Sequence, residues 1–147
     1  MITEVYVPRA RLAEFMCEAA GRLRANGADL VYGTVRLIER DDESFLAWAT
    51  EPWACIVFNL HVEHGTARRD EQAFRDLIDV AIANGGSYYL TYHRWATRAQ
   101  VEACHPRLVD FLRLKRLYDP DELFQSDWYR HYRELFRSEL ESLEDVA

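Results

Sequence analysis

Twelve residues, Trp53 to His64, constrain the chain more than any other stretch. Read with a period of two, Ile56, Phe58, Leu60 and Val62 fall on one side and Cys55, Val57, Asn59, His61 and Glu63 on the other. A one-residue slip in pairing would exchange the two sides, so the strand must lie with its apolar side against a covering layer. The other side turns polar towards its end. What the protein does then depends on which side chains neighbouring strands set beside that polar row.

The flanking sequence supplies those neighbours. Thr3 to Val7 alternates and stops at Pro8, which also suits a helix start. From Arg9 to Asn26, Leu12, Phe15, Met16, Ala19 and Leu23 recur at helical spacing, and Asn26-Gly27 ends the helix. Leu30 to Glu39 returns to period two, with Val31, Val35 and Leu37 opposite Tyr32, Thr34 and Arg36. Arg40 to Glu43 reads as a loop, and Ser44 to Thr50 fits no single period. Beyond the turn at Gly65, Asp70 to Asn84 is helical and stops at Gly85-Gly86, and Ser87 to His93 reads as a strand. Strand, helix, strand, strand, helix, strand predicts an α+β domain. Its form is the ferredoxin-like βαββαβ antiparallel sheet with both helices on one face, over residues 1–93. Residues 94–147 extend the same domain as helices. Thr97 to Gln100 is a capping box, a second helix starts at His105-Pro106, and Ser126 or Asp127 caps a tail helix carrying Trp128, Tyr132, Leu135, Phe136, Leu140 and Leu143. Glu139 to Ala147 reads as an acidic, frayed end.

Composition removes several functions. At 147 residues and 49% hydrophobic content the chain can bury a core. Its net charge of −7 argues against nucleic acid or an anionic membrane as partner. No apolar run reaches the roughly 20 residues of a membrane span, and Glu4 and Pro8 stand where a signal peptide would be basic and then apolar. Three scattered cysteines without a Cys-x-x-Cys pair predict reduced thiols and a cytoplasmic setting.

With Val31, Val35, Leu37, Ile56, Phe58 and Leu60 under the helices, the opposite side should show Tyr6, Tyr32, Thr34, Arg36, Asn59, His61 and Glu63. The last strand adds Tyr89, Thr91 and His93, or else Tyr88 and Tyr92. Tyrosines give apolar walls with hydroxyl tips, Arg36 a planar fork for oxygen-rich groups, Asn59 both a donor and an acceptor, and His61 or His93 a proton carrier. That set suits a small polar organic substrate. A solvated surface or dimer interface uses the same vocabulary, and a cross-strand ion pair from Arg36 to Glu63 or Glu4 is the simplest account of either charge. His61, Glu63 and His64, with His93, lack a second cluster at ligand spacing, so no metal site is expected. Cys55 beside His61 has no activating group for nucleophilic work. There is no Gly-x-Gly-x-x-Gly, Walker loop or Gly-x-Ser-x-Gly elbow.

The C-terminal part is more specific. Asn84-Gly85-Gly86-Ser87, then Tyr92-His93-Arg94-Trp95, then Leu114-Lys115-Arg116-Leu117, then Tyr118-Asp119-Pro120-Asp121-Glu122-Leu123-Phe124-Gln125-Ser126-Asp127-Trp128-Tyr129 resembles the end of FAD-linked oxidases of the vanillyl-alcohol oxidase and aldonolactone oxidase superfamily. Thr34-Val35-Arg36-Leu37-Ile38 and Phe58-Asn59-Leu60-His61 resemble substrate-domain strands of its sugar- and lactone-oxidising branch, so the likeness spans about Leu30 to Tyr132.

The resemblance implies a substrate-binding cap domain whose sheet roofs the flavin of a preceding domain. It implies substrate contacts at Arg36 and Asn59, with Tyr32, Tyr92 and Arg94 around them. It places His93 and Arg94 near the flavin, and Gln125 and Ser126 in the segment returning to the flavin domain. The pattern departs at Thr34, where that branch can carry an acid, at Asn59, where it can carry a histidine, and in having no lysine near His93. His61 and His93 therefore stand as the candidate catalytic residues. FAD is expected only through a flavin-binding domain or subunit not among these residues, and the chain alone is expected to be silent. The rival expectation is a free-standing ferredoxin-like module that forms a homodimer through the same face.

Overall fold

The computed structural model describes residues 1–63, 65 and 67–141. His64 of the metal reading, Leu143 of the tail helix and the acidic end from 142 lie outside the described residues. The elements are β1 (Ile2–Pro8), a 3-10 turn (Arg9–Arg11), α1 (Leu12–Ala25), β2 (Asp29–Ile38), β3 (Trp53–His61), α2 (Ala67–Ala83), β4 (Ser87–Tyr88), α3 (Arg98–Cys104), α4 (Leu108–Tyr118), α5 (Asp127–Leu135) and α6 (Arg137–Glu141). The strands form one antiparallel sheet in the order β2-β3-β1-β4, which makes the chain an α+β protein. Among the described residues no helix is long and apolar enough to cross a membrane.

β3 obeys its alternation. Ala54, Ile56, Phe58 and Leu60 join Val5 and Val7 of β1 under Phe15, Ala19 and Leu23 of α1 and Phe74, Leu77 and Ile78 of α2. The core then runs past β4 to Val101, Leu108, Leu112 and Tyr132, so the C-terminal helices extend the helix-covered layer. That extension corrects the expected cover of β2. α2 lies against β1, β4 and α3, and the helix pair is drawn towards that edge. Val31, Val35 and Leu37 stay exposed, Leu37 by 66%. Val31 also leaves the ladder, because Leu30 faces Leu60 and Tyr32 already faces Asn59, a bulge that inserts one residue.

The turn from α2 into β4 follows from two glycines. Gly85, at φ +75°, donates to Ile82 O at 2.9 Å, and Gly86 donates to Ala81 O at 2.7 Å, a Schellman ending. A Cβ on Gly86 would sit 1.9 Å from Tyr6 O, so only glycine lets β4 close on β1. β4 ends at Tyr88 where the pattern predicts a strand to His93. Tyr89 still donates to Glu4 O at 2.9 Å, and the chain then turns away. The capping box at Thr97 and the cap at Ser126 form as predicted. The helix at His105-Pro106 begins later, at Leu108, and the tail helix breaks at Phe136, which is buried beneath the Arg98 guanidinium 4.9 Å from its ring centre.

Candidate functional site

Register fixes the polar side of the sheet row by row. Ile2, Asn59 and Tyr32 share one row, Glu4, Val57 and Thr34 the next, and Tyr6, Cys55 and Arg36 the third. Tyr32, Arg36 and Asn59 thus share a face as expected, with Tyr32 and Arg36 exposed and Asn59 half-buried. The expectation of an uncovered face needs correcting. The segment between β2 and β3 folds back over one end, where Ala49 joins Tyr6, Trp53, Cys55 and Val57 in a second apolar cluster. Trp48 meets Tyr6 edge-on at 5.7 Å, and Trp53 stacks on it at the same distance. Ser44 to Thr50 showed no period because it packs as a patch and not as an element.

Beneath this roof lies a group that pattern reading valued only as a salt-bridge partner. Glu4 is 7% exposed. Its Oε1 accepts from Tyr6 Oη at 2.9 Å and from Cys55 Sγ at 3.1 Å, and its Oε2 stands 3.5 Å from Tyr92 Oη. No ion pair joins it to Arg36 among the described residues, because β3 runs between their strands at roughly 4.8 Å per step. Burial, then the Glu4 carboxylate, pushes the Tyr6 phenol far above its ordinary range. Burial, then the bond to Glu4, pushes the Cys55 thiol up to about 12, which leaves it inert as a nucleophile. Tyr92 is raised by burial and then by Glu4, against a smaller opposing pull from Arg36.

Strand parity would have set Tyr89 and Tyr92 on opposite sides. Because β4 stops early, both reach the polar side, their rings 5.2 Å apart at 69°. Tyr92 also walls a cleft of about 290 Å³ with Thr91, His93, Arg94, Trp95 and Trp128. His93 stacks on Trp95 at 4.3 Å and meets Phe74 of α2 edge-on at 5.6 Å, which corrects its placement in the row of Arg36. Its Nε2 lies 3.1 Å from Ile2 O. A carbonyl only accepts, so Nε2 carries the proton and Nδ1 remains an acceptor. Burial lowers its pKa. His61, at the end of β3, is exposed with Nδ1 3.2 Å from Asp29 Oδ2, away from the cleft. Arg94 stands 4.0 Å from Asp127. No group of three potential metal ligands occurs among the described residues.

The closing segment is a lock. Asp119 receives Lys115 Nζ at 2.5 Å and the amides of Leu123 and Phe124 at 2.9 and 3.0 Å. The Lys115 bond holds its carboxyl below the usual range. Lys115 also sits 4.1 Å over the Tyr129 ring, and Tyr129 donates to Glu122, which pairs with Arg133 at 2.9 Å. Gln125 donates to Glu122 O at 2.8 Å, and Ser126 accepts from Tyr129 N at 3.1 Å, so both side chains are engaged locally. Around the lock, Leu117, Tyr118, Leu123 and Phe124 are all highly exposed, alongside Asp121 and Gln125.

The Gly85 and Gly86 amides already donate to the end of α2, so that turn does not cradle a phosphate. No protein-family model matches the chain, and no curated protein matches it. The class defined by fold and site is an α+β domain with one helix-covered sheet face and one partly roofed polar face.

Proposed function

We propose that this chain is the substrate-binding cap domain of an FAD-dependent oxidoreductase. Its substrate is a small polar alcohol, sugar lactone or hydroxy acid, and its flavin is carried by a domain or subunit outside these residues. The ferredoxin-like reading is supported by the strand order β2-β3-β1-β4 with α1 and α2 over Ile56 and Phe58. The observation that carries the proposal is that the C-terminal helices extend the covered layer and leave Tyr32, Thr34 and Arg36 exposed on the other side beside Asn59.

In this reading Arg36, Asn59 and Tyr32 orient the polar substrate. Tyr92, Arg94 and His93 wall the neighbouring cleft, and Trp48 and Trp53 shield Tyr6 at the other end of the face. The exposed Leu117, Tyr118, Leu123 and Phe124 turn the Gln125-Ser126 segment into a face for the flavin domain. The flavin, when bound there, accepts hydride from the carbon that carries the hydroxyl. The reduced cysteines fit a cytoplasmic setting. Co-expression with the product encoded immediately upstream tests the proposal. A yellow complex that co-purifies with the chain is expected, and colourless, unassociated protein would refute it.

A homodimeric binding module that pairs through the polar sheet face is the second reading, favoured by the exposure there of Tyr32, Thr34 and Arg36. It requires a dimer by light scattering that Arg36→Glu breaks into monomers.

A further inference from the structure

Of the two candidate histidines only His93 lines the cleft, and its ring is held in place there. His61 stands at the far end of β3 with Asp29, and His93 is clamped between Trp95 and Phe74 with Nε2 engaged by Ile2 O. The nearest carboxylate on the polar side reaches the cleft only through the Tyr92 hydroxyl. Glu4 lies behind its Tyr92 wall, nine-tenths buried, with three protic side chains converging on one carboxylate. A buried carboxylate is costly unless it is bonded, and a fold needing only packing would set an apolar residue in this row.

The three contacts are unequal. Tyr6 and Cys55 are fully buried and hold Oε1 at 2.9 and 3.1 Å. Tyr92 is 43% exposed and holds Oε2 at only 3.5 Å, at the limit of a hydrogen bond. The inner oxygen is thus fixed, and the outer one is loosely held by the one donor that solvent and ligands reach. Contacts of this kind tighten when a ligand arrives. The groups facing Glu4 are Tyr6 on its own strand, Cys55 on β3 and Tyr92 after β4, and Tyr89 and Arg36 act in turn on Tyr92.

We infer that Tyr92 and Glu4 are the proton relay of this site, Tyr92 touching the hydroxyl of the bound ligand and Glu4 acting through it. The inference rests on the cap-domain reading for its reaction but not for its geometry. The hydroxyl proton passes to Tyr92 Oη as the Tyr92 proton passes to Glu4 Oε2. The carbon's hydrogen leaves with its electron pair to the flavin of the partner domain, and the alcohol becomes a carbonyl. Tyr92 ends unchanged and Glu4 ends protonated. Tyr92 is then a catalytic residue and Glu4 a positioning and proton-storing one.

The test uses the full chain, carbon-13 NMR of the Glu4 carboxyl and Tyr92 phenol carbons, and two probes that differ by one hydroxyl, glycolate and acetate. Glycolate is expected to shift both carbons, and acetate to shift neither while moving the Arg94 amide. Tyr92→Phe, a change at a half-exposed ring that preserves folding, should abolish the Glu4 response and keep the Arg94 response. A Glu4 carbon that ignores glycolate while Arg94 responds overturns the relay, as does a cleft in which nothing responds. A yellow complex with an unresponsive Glu4 sinks only this inference, and a colourless mixture with a responsive Glu4 sinks only the flavin reading.

Discussion

The two sides of this sheet are built from the same strands by opposite means. On the helix side, Val5, Ile56 and Phe58 lie under Phe15, Phe74 and Leu77, and stability comes from apolar area removed from water. On the other side, Glu4, Tyr6 and Cys55 are buried almost as completely, yet beneath a non-repetitive segment and around a carboxylate. The first arrangement tolerates many sequences of the right volume. The second requires each polar atom to find its partner, and natural proteins accept such demands mostly where a site is needed.

Truncation should separate the two sides most sharply. Phe58→Ala removes a ring 2% exposed in the middle of the helix-side core, and the expected loss is about 3–5 kcal/mol in urea unfolding. A loss below about 1 kcal/mol would mean that the helix layer is not what holds β3.

Acid should find a seam in the same layer. His105 packs edge-on against Tyr88 at 5.0 Å, and burial lowers its pKa to about 4 from 6.5. Its folded pKa lies below the unfolded one, so the unfolded chain binds the proton first. Stability is then fully present above pH 6.5 and falls as pH drops towards 4, by on the order of 2–3 kcal/mol. His93 and His131, also lowered by burial, act with the same sign. Urea midpoints between those limits should fall with acid in the wild type and fall less in His105→Gln.

On the roofed side the expected effect is smaller and of another kind. Glu4→Gln keeps the shape but gives Tyr6 and Cys55 a neutral acceptor and buries an amide, at a cost of about 1–2 kcal/mol. The Tyr92 phenol should titrate lower in this variant, because the carboxylate that raises it is gone. An ultraviolet tyrosinate titration with unchanged midpoints would break the link between these two groups.

How much of this was legible in the sequence follows the same division. β3, its two faces and the rows of Tyr32, Arg36 and Asn59 were readable because a period of two survives in the residues. The helix stops at Gly27 and Gly85 and the helix start at Ser126 were readable because their chemistry is local. The Glu4 cluster was not. It joins positions 4, 6, 55 and 92, and the last arrives only because β4 stops after two residues, which no alternation in Ser87 to His93 announces. The roof of Trp48 and Ala49 was hidden for the same reason, since it packs without repeating. The one available signal was a glutamate inside a largely apolar first strand, in phase with Tyr6.

The smallest effect bears on β2, where the helix side lacks its helix. Leu37 points to that side yet is largely exposed, so Leu37→Lys should change stability by less than about 0.5 kcal/mol. The same substitution at Leu60, its counterpart under the helices at 2% exposure, should prevent folding at ordinary temperature. If Leu37→Lys instead costs as much as a core substitution, something covers β2 in solution. Concentration dependence of its melting temperature would then show whether the cover is a second copy of this chain, because a melting point set by dimerisation rises with protein concentration and one set within the chain does not.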